Sequence, residues 1–298
     1  ERVIASRNFA NKIWNAARFV LMNLPENEPA PHIPAHLAAE DKWILSRLNT
    51  VIRDVTENMD KYELGIAVQK VYDFLWDELC DWYIEMVKPR LYNEEDTTKA
   101  AALFTLKKVL TISLKLLHPY MPFITEEIFC SLQDEEESIM VSDWPVFEEA
   151  FDFKAEENEV EIIKNAVRNI RNLRADMNVP PSKKASVYVV SEKEEVRKVF
   201  EDSRVFFATL GYASEVHVQA DKAGIADDAV STVIPDAVIY MPFAELVDVE
   251  KEIARLEKEA KRLEGEIKRA KGMLSNEKFI SKAPAAKVEA EKEVPKVR

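Results

Sequence analysis

Long runs of helical periodicity, each stopped by proline, constrain this chain more than any other feature. Over about Arg2–Leu24, Glu40–Lys61, Glu63–Val87, Thr97–Leu117 and Phe123–Leu132, apolar residues recur every three or four positions. Pro25, Pro89, Pro119 and Pro122 punctuate these runs. Proline has no amide donor and clashes with the preceding turn, so each is read as a stop. Four prolines between Pro25 and Pro34 mark a loop. The second run places Trp43, Ile44, Leu48, Val51, Ile52 and Val55 on one side, and the fourth does the same with Leu103, Leu106, Leu110 and Leu114. The third is rich in aromatics: Tyr72, Phe74, Trp76, Trp82 and Tyr83. Consecutive long helices with short breaks predict a helical bundle over residues 1–151. The chain has only 5 glycines, which suits helices better than the many tight turns of an all-β fold.

The pattern changes near Glu156. A helix over about 157–177, with Ile163, Val167, Ile170, Leu173 and Met177 on one side, ends at Pro180 and Pro181. The stretches 185–190, 215–220 and 237–242 carry the β-branched and aromatic content of strands, with a helix over about 192–210 between the first two. Residues 152–246 are thus expected to form a small α/β domain with a sheet of three or more strands. From Val249 the apolar positions 249, 253, 256, 260, 263, 267, 270 and 274 alternate four and three without a slip, the seam of a coiled coil. The stretch 275–284 interrupts it, and a returning helix from Ala285 would make residues 247–298 an antiparallel hairpin. The expected fold is therefore mainly α, with a small α/β domain and a coiled-coil arm.

Charge is spread unevenly. The net charge is −13, which argues against a simple polyanion-binding protein. Yet residues 1–24 hold four basic residues against one acid, and residues 250–298 hold fourteen against ten, so the ends carry +3 and +4 and the middle −20. Any nucleic acid contact is to be sought at the ends. The two cysteines, Cys80 and Cys130, are in no metal-ligand spacing, suit a reducing cytosol and place the chain in the cytoplasm. No apolar run is long enough to span a membrane. No phosphate loop, His-x-x-x-His or nucleophile elbow occurs. The histidines are dispersed, and His118, between apolar residues, reads as packed or capping. Asp134–Glu137 reads as a solvated loop and the pair Glu126 and Glu127 as favourable charge at a helix start. No catalytic or metal-binding residue is assigned.

The opening helix is unusual. At about 100° per residue, Asn8, Lys12, Asn15 and Phe19 share one face, with Asn11 and Arg18 at its margin, while Phe9, Ile13, Ala16, Ala17, Val20 and Leu24 form the core stripe. Asparagine is a mediocre helix former. Amides and cations can bond base edges and phosphates, and an aromatic ring can stack on an unpaired base. Spacing leaves two readings of Phe19 open: a base-stacking residue, or one covered by another helix of the bundle.

Several stretches, 8–24, 79–91 and 116–129, resemble the anticodon-binding helical domain of class I aminoacyl-tRNA synthetases of the valyl, isoleucyl and leucyl subgroup. Residues 166–184 and 274–293 are most similar to the bacterial valyl family, the latter to the turn and return helix of its C-terminal coiled coil. The resemblance implies a tRNA-binding C-terminal region, with valine tRNA as partner and with no membrane. It implies a monomer, and catalytic and editing domains that lie elsewhere in the same enzyme. Neither a HIGH-type nor a KMSKS-type motif occurs here, so ATP and magnesium would belong to the full enzyme and no cofactor to this stretch. Carried over by position, Phe19 matches the aromatic that stacks on the middle anticodon base. Lys12, Asn15 and Arg18 match polar residues near it, with Asn8 on the same face, and Ile84 and Glu85 match a second wall. Arg255, Lys258, Lys261, Arg262, Lys268, Arg269 and Lys271 would meet phosphates at the outer corner of the tRNA.

The chain departs from the family in one respect: its return helix is short and meets Pro295, which puts the corner contact in doubt. The chain also opens on Glu1 in mid-helix, as a piece of a longer protein would. The same region of another synthetase of the subgroup is an alternative, which the heptad tail disfavours; a non-catalytic helical or coiled-coil scaffold is another. The basic residues Lys164, Arg168, Arg171 and Arg174 leave two readings, a phosphate-facing stripe or a surface against the catalytic half.

Overall fold

A computed structural model describes residues 2–25, 34–133, 136–247 and 249–275. The bundle comprises α1 (Arg2–Asn23), α2 (Ala39–Asp60), α3 (Leu64–Asp73), a π-helical segment (Phe74–Tyr83), α4 (Ile84–Tyr92), α5 (Lys99–Leu117) and α6 (Pro122–Leu132). The apolar stripe expected on α2 is buried throughout, from Trp43 to Val55. Its N-terminus is closed by Asp41, whose carboxylate accepts from the Ala38 amide at 3.1 Å, in the manner of a capping box.

The third helix does not end before Pro89. The helical path runs from Leu64 to Tyr92, widened through Phe74–Tyr83, with Pro89 inside α4. An interior proline costs about 3 kcal/mol. Met86, Val87, Arg90 and Leu91 are all buried on either side of it, and that packing carries the helix through.

The second part begins with α7 (Lys154–Asp176), which starts a few residues earlier than its apolar spacing indicated. Then follow β1 (Ala185–Val190), α8 (Glu194–Asp202), α9 (Arg204–Leu210), β2 (Ala213–Gln219), β3 (Val230–Ile234), β4 (Ala237–Met241) and a short α10 (Phe243–Leu246). The helix expected over 192–210 is two helices, broken at Ser203, whose hydroxyl turns back to the Val199 carbonyl at 2.6 Å. The sheet order is β2-β1-β4-β3; β1 and β2 are parallel and the other pairs antiparallel. The fourth strand, β3, went unread in the sequence. It pairs with β4 through Pro235 and Asp236, with Asp236 at φ 63, so a proline-fixed first turn residue is followed by one in the left-handed region.

α7 joins the two parts. Lys42 bonds Glu156 at 2.9 Å, Ser46 bonds Glu157 at 2.5 Å, and the Phe153 amide donates to Ser46 at 2.9 Å. From its other end Asn169 accepts from Thr232 of β3 at 3.2 Å. The last element, α11 (Val249–Leu274), holds the heptad seam. Ala270 is fully buried, whereas Ile253 and Leu263 are exposed. The expected turn and return helix lie outside the described residues.

Candidate nucleic-acid interface

α1 presents two unlike faces. Phe9, Ile13, Ala16, Ala17 and Val20 are buried. Phe9 starts an aromatic ladder that runs to half-buried rings, 4.3 Å from the Tyr72 ring centroid and 6.4 Å from that of Trp76. Asn8, Asn11, Asn15 and Arg18 are exposed. The last turn is closed by Asn23, whose side-chain amide donates to the Phe19 carbonyl at 2.8 Å, giving a partner to one of the carbonyls a helix end leaves unpaired.

Phe19 lies between these faces. It is half-buried, packed on the edge of the core. The Lys88 ammonium of α4 lies 5.9 Å from its ring centroid and 2.6 Å from the Glu85 carboxylate. Phe19 and Glu85, assigned from separate stretches, are thus brought together through Lys88. Ile84 is 6% exposed and supports this corner from within rather than offering surface. Lys12, two helical turns before Phe19 on the same face, is already engaged: it bonds Asp81 at 2.7 Å and sits 3.8 Å over the Trp76 ring.

Two residues of this surface escaped the sequence reading. Lys88 is three residues after Glu85, and a basic residue one helical turn from an assigned acid is the signal that could have found it. Trp14, 48% exposed on α1, lies one turn before Arg18; its outward position follows from the same helical wheel that placed Phe19.

The basic row of α11 is exposed at Lys258, Lys261, Arg262, Lys268, Arg269 and Lys271. The side chain of Arg255 lies outside the described residues. Arg262 bonds Glu259 and Glu266 at 2.6 and 2.5 Å, which hold its guanidinium above its ordinary range. The row is therefore a mixed-charge surface, neutralised in part by its own acids.

The α7 stripe makes its contacts within the chain itself. Lys164 is 6% exposed, 4.8 Å over the Trp43 ring and 5.6 Å over that of Trp82. Arg168 and Arg171 lie over the same Trp82 ring at 5.3 and 5.7 Å. Arg171 donates to the Leu210 carbonyl at 2.8 Å, and buried Arg174 donates to the Pro180 and Lys183 carbonyls. The stripe fastens the bundle to the α/β part by cation–π contacts and carbonyl bonds.

His118 is the C-cap of α5, with its ring bonded to Thr125 at 2.7 Å, as its capping reading expected. Glu126 lies beyond the first turn of α6 and accepts from the Ile139 amide at 3.2 Å, so it braces a loop rather than the helix start. Asp134 and Glu135 lie outside the described residues. A cleft of about 780 Å3 separates the bundle from α8 and α9. Its innermost charges, Glu40 and Arg90, are paired with each other at 2.6 Å.

Comparison with known proteins gives two family matches. Residues 41–189 match the family described as the anticodon-binding domain of tRNA ligase, and residues 248–296 match the valyl tRNA synthetase tRNA binding arm. α1 precedes the first matched range. Over 98% of its length the chain is 50% identical to the valine–tRNA ligase of Clostridium acetobutylicum, 51% to that of Clostridium tetani and 42% to that of Carboxydothermus hydrogenoformans. It spans about a third of the length of these curated relatives, 33% in each case.

Proposed function

The chain belongs to the valine–tRNA ligase family, and from that premise we propose that it is the part of such an enzyme that grips the tRNA. In this reading α1 and α4 meet the anticodon loop, α11 meets the outer corner, and the catalytic and editing domains of the same enzyme do the chemistry. Those domains would use ATP and magnesium to activate valine and esterify the tRNA, and this stretch supplies neither site. The partner is valine tRNA, the compartment the cytoplasm, and the enzyme works as a monomer. Among the described residues no helix is long and apolar enough to cross a membrane.

The observation that carries the reading is the outward face of α1. Its amides and Arg18 are exposed around a half-buried Phe19 whose neighbour across the groove is a lysine. An unpaired base can stack on the ring while the amides bond its edge. Asn8, Lys12, Asn15 and Arg18 supply those polar contacts, and Glu85 over the supporting Ile84 forms the second wall. Lys12 must leave Asp81 to reach RNA. The α11 row supplies phosphate contacts of no sequence preference.

The test is competition binding at stated salt between intact valine tRNA and variants altered in the anticodon or in the corner. The reading expects both alterations to weaken binding, and the RNA that has lost the corner contacts to show the shallower salt dependence. Equal binding of all three RNAs would contradict it.

A further inference from the structure

We propose that Lys88 is a phosphate-contacting residue of the Phe19 site, held ready by Glu85, and that it binds the backbone of the nucleotide whose base stacks on Phe19. The proposal rests on the reading of Phe19 as a base-stacking residue and adds a residue that neither the family resemblance nor the helical wheel supplied.

Three observations converge on Lys88. Its ammonium lies 5.9 Å from the Phe19 ring centroid, so a cation already sits against one side of the aromatic platform. It lies 2.6 Å from Glu85, and the two side chains keep 34% and 40% of their surface exposed. The pair is thus solvated and separable rather than a core ion pair. Thirdly, α4 holds Lys88 firmly at its base: Met86 and Val87 before it and Arg90 and Leu91 after it are buried. The backbone is fixed while the ammonium can move.

An ammonium has three donors and no acceptor. Glu85 uses one donor, and two remain for a phosphate oxygen. A nucleotide stacked on Phe19 brings its phosphate to within one side-chain length of the ring, the range Lys88 already covers. Glu85 then has a defined effect. It holds Lys88 against the ring in the free protein and lowers its attraction for any passing phosphate. The cost of separating the pair is recovered only when a base is stacked and the phosphate is placed.

The test uses the 298-residue chain and anticodon stem-loops of valine tRNA and of an anticodon-swapped variant, with affinities read from 50 to 200 mM salt. Lys88→Met is expected to weaken the valine loop more than the swapped loop and to make the valine loop's slope of log K against log salt shallower by about 0.7, the value of one single-strand phosphate contact. Lys88→Arg is expected to restore the slope. Glu85→Gln is expected to strengthen binding of both loops and to reduce discrimination between them. An unchanged slope in Lys88→Met, with discrimination still lost in Phe19→Ala, overturns the Lys88 proposal and leaves the Phe19 reading standing. Full discrimination in Phe19→Ala overturns the Phe19 reading itself. An unchanged melting temperature in each variant separates these outcomes from misfolding.

Discussion

Arg90 grips Asp41 with both terminal nitrogens of its guanidinium, at 2.8 and 2.9 Å. This pair joins the tip of α2 to α4 beneath the cleft. The remaining donors of Arg90 reach Glu40 at 2.6 Å, the Thr98 hydroxyl at 2.9 Å and the Thr98 carbonyl at 2.8 Å. Tyr83 adds its hydroxyl to Asp41 at 2.7 Å. Every guanidinium proton is satisfied, as burial demands.

Removing that guanidinium strands two buried carboxylates. Arg90→Met should therefore destabilise the chain by about 3–5 kcal/mol, measured as the shift in a urea unfolding transition at neutral pH. A loss below about 1 kcal/mol would show that the network is ornamental to stability. Lys at this position should rescue little, since it cannot form the fork.

Glu40 gives this network a pH signature. One cation serves two carboxylates, and burial together with Asp41 raises the Glu40 carboxyl above its ordinary value by more than Arg90 lowers it. Between the unfolded value and the raised folded one, the native state binds more protons than the unfolded chain. Stability from this group is thus lost as pH rises through that window. Gln cannot ionise, so Glu40→Gln should gain stability relative to the parent as pH rises above the ordinary carboxylate range. Parallel unfolding curves at several pH values check the sign, and a variant that falls further behind with rising pH would refute it.

The two thiols should separate cleanly under labelling. Burial pushes the Cys80 thiol up to about 12, whereas Cys130 is exposed. Because the thiolate is the reactive form, the first equivalent of maleimide should add to the exposed thiol near pH 7 and the second only in denaturant. Mass spectrometry of the labelled peptides identifies which cysteine reacts first.

Much of the fold was legible because burial follows helical spacing. The stripe from Trp43 to Val55 and the α1 stripe from Phe9 to Val20 are buried as their periodicity required. What was misread involves tertiary forces that local rules do not contain. Pro89 reads as a stop, but the burial of Met86, Val87, Arg90 and Leu91 outweighs its cost. The break at Ser203 comes where its backbone leaves helical geometry, at φ −106 and ψ 10, which apolar spacing does not reveal. β3 was readable in principle, since Val230, Thr232, Val233 and Ile234 are β-branched and lead into a Pro-Asp turn. The role of the α7 cations was left open because spacing cannot reveal that Trp82 lies beneath three of them. In the candidate site, the wheel placed the exposed amides of α1 correctly, but only tertiary packing brings Lys88 from α4 to Phe19.

The central claim, that α1 meets the anticodon, is tested most directly by Phe19→Ala in this chain, comparing affinities for valine tRNA and an anticodon-swapped tRNA. A stacked base is worth about 1–3 kcal/mol, so the affinity for valine tRNA should fall by roughly 5- to 150-fold, with a smaller loss for the swapped tRNA and hence a lower ratio of the two. Equal losses for both tRNAs, leaving the ratio unchanged, would contradict the claim.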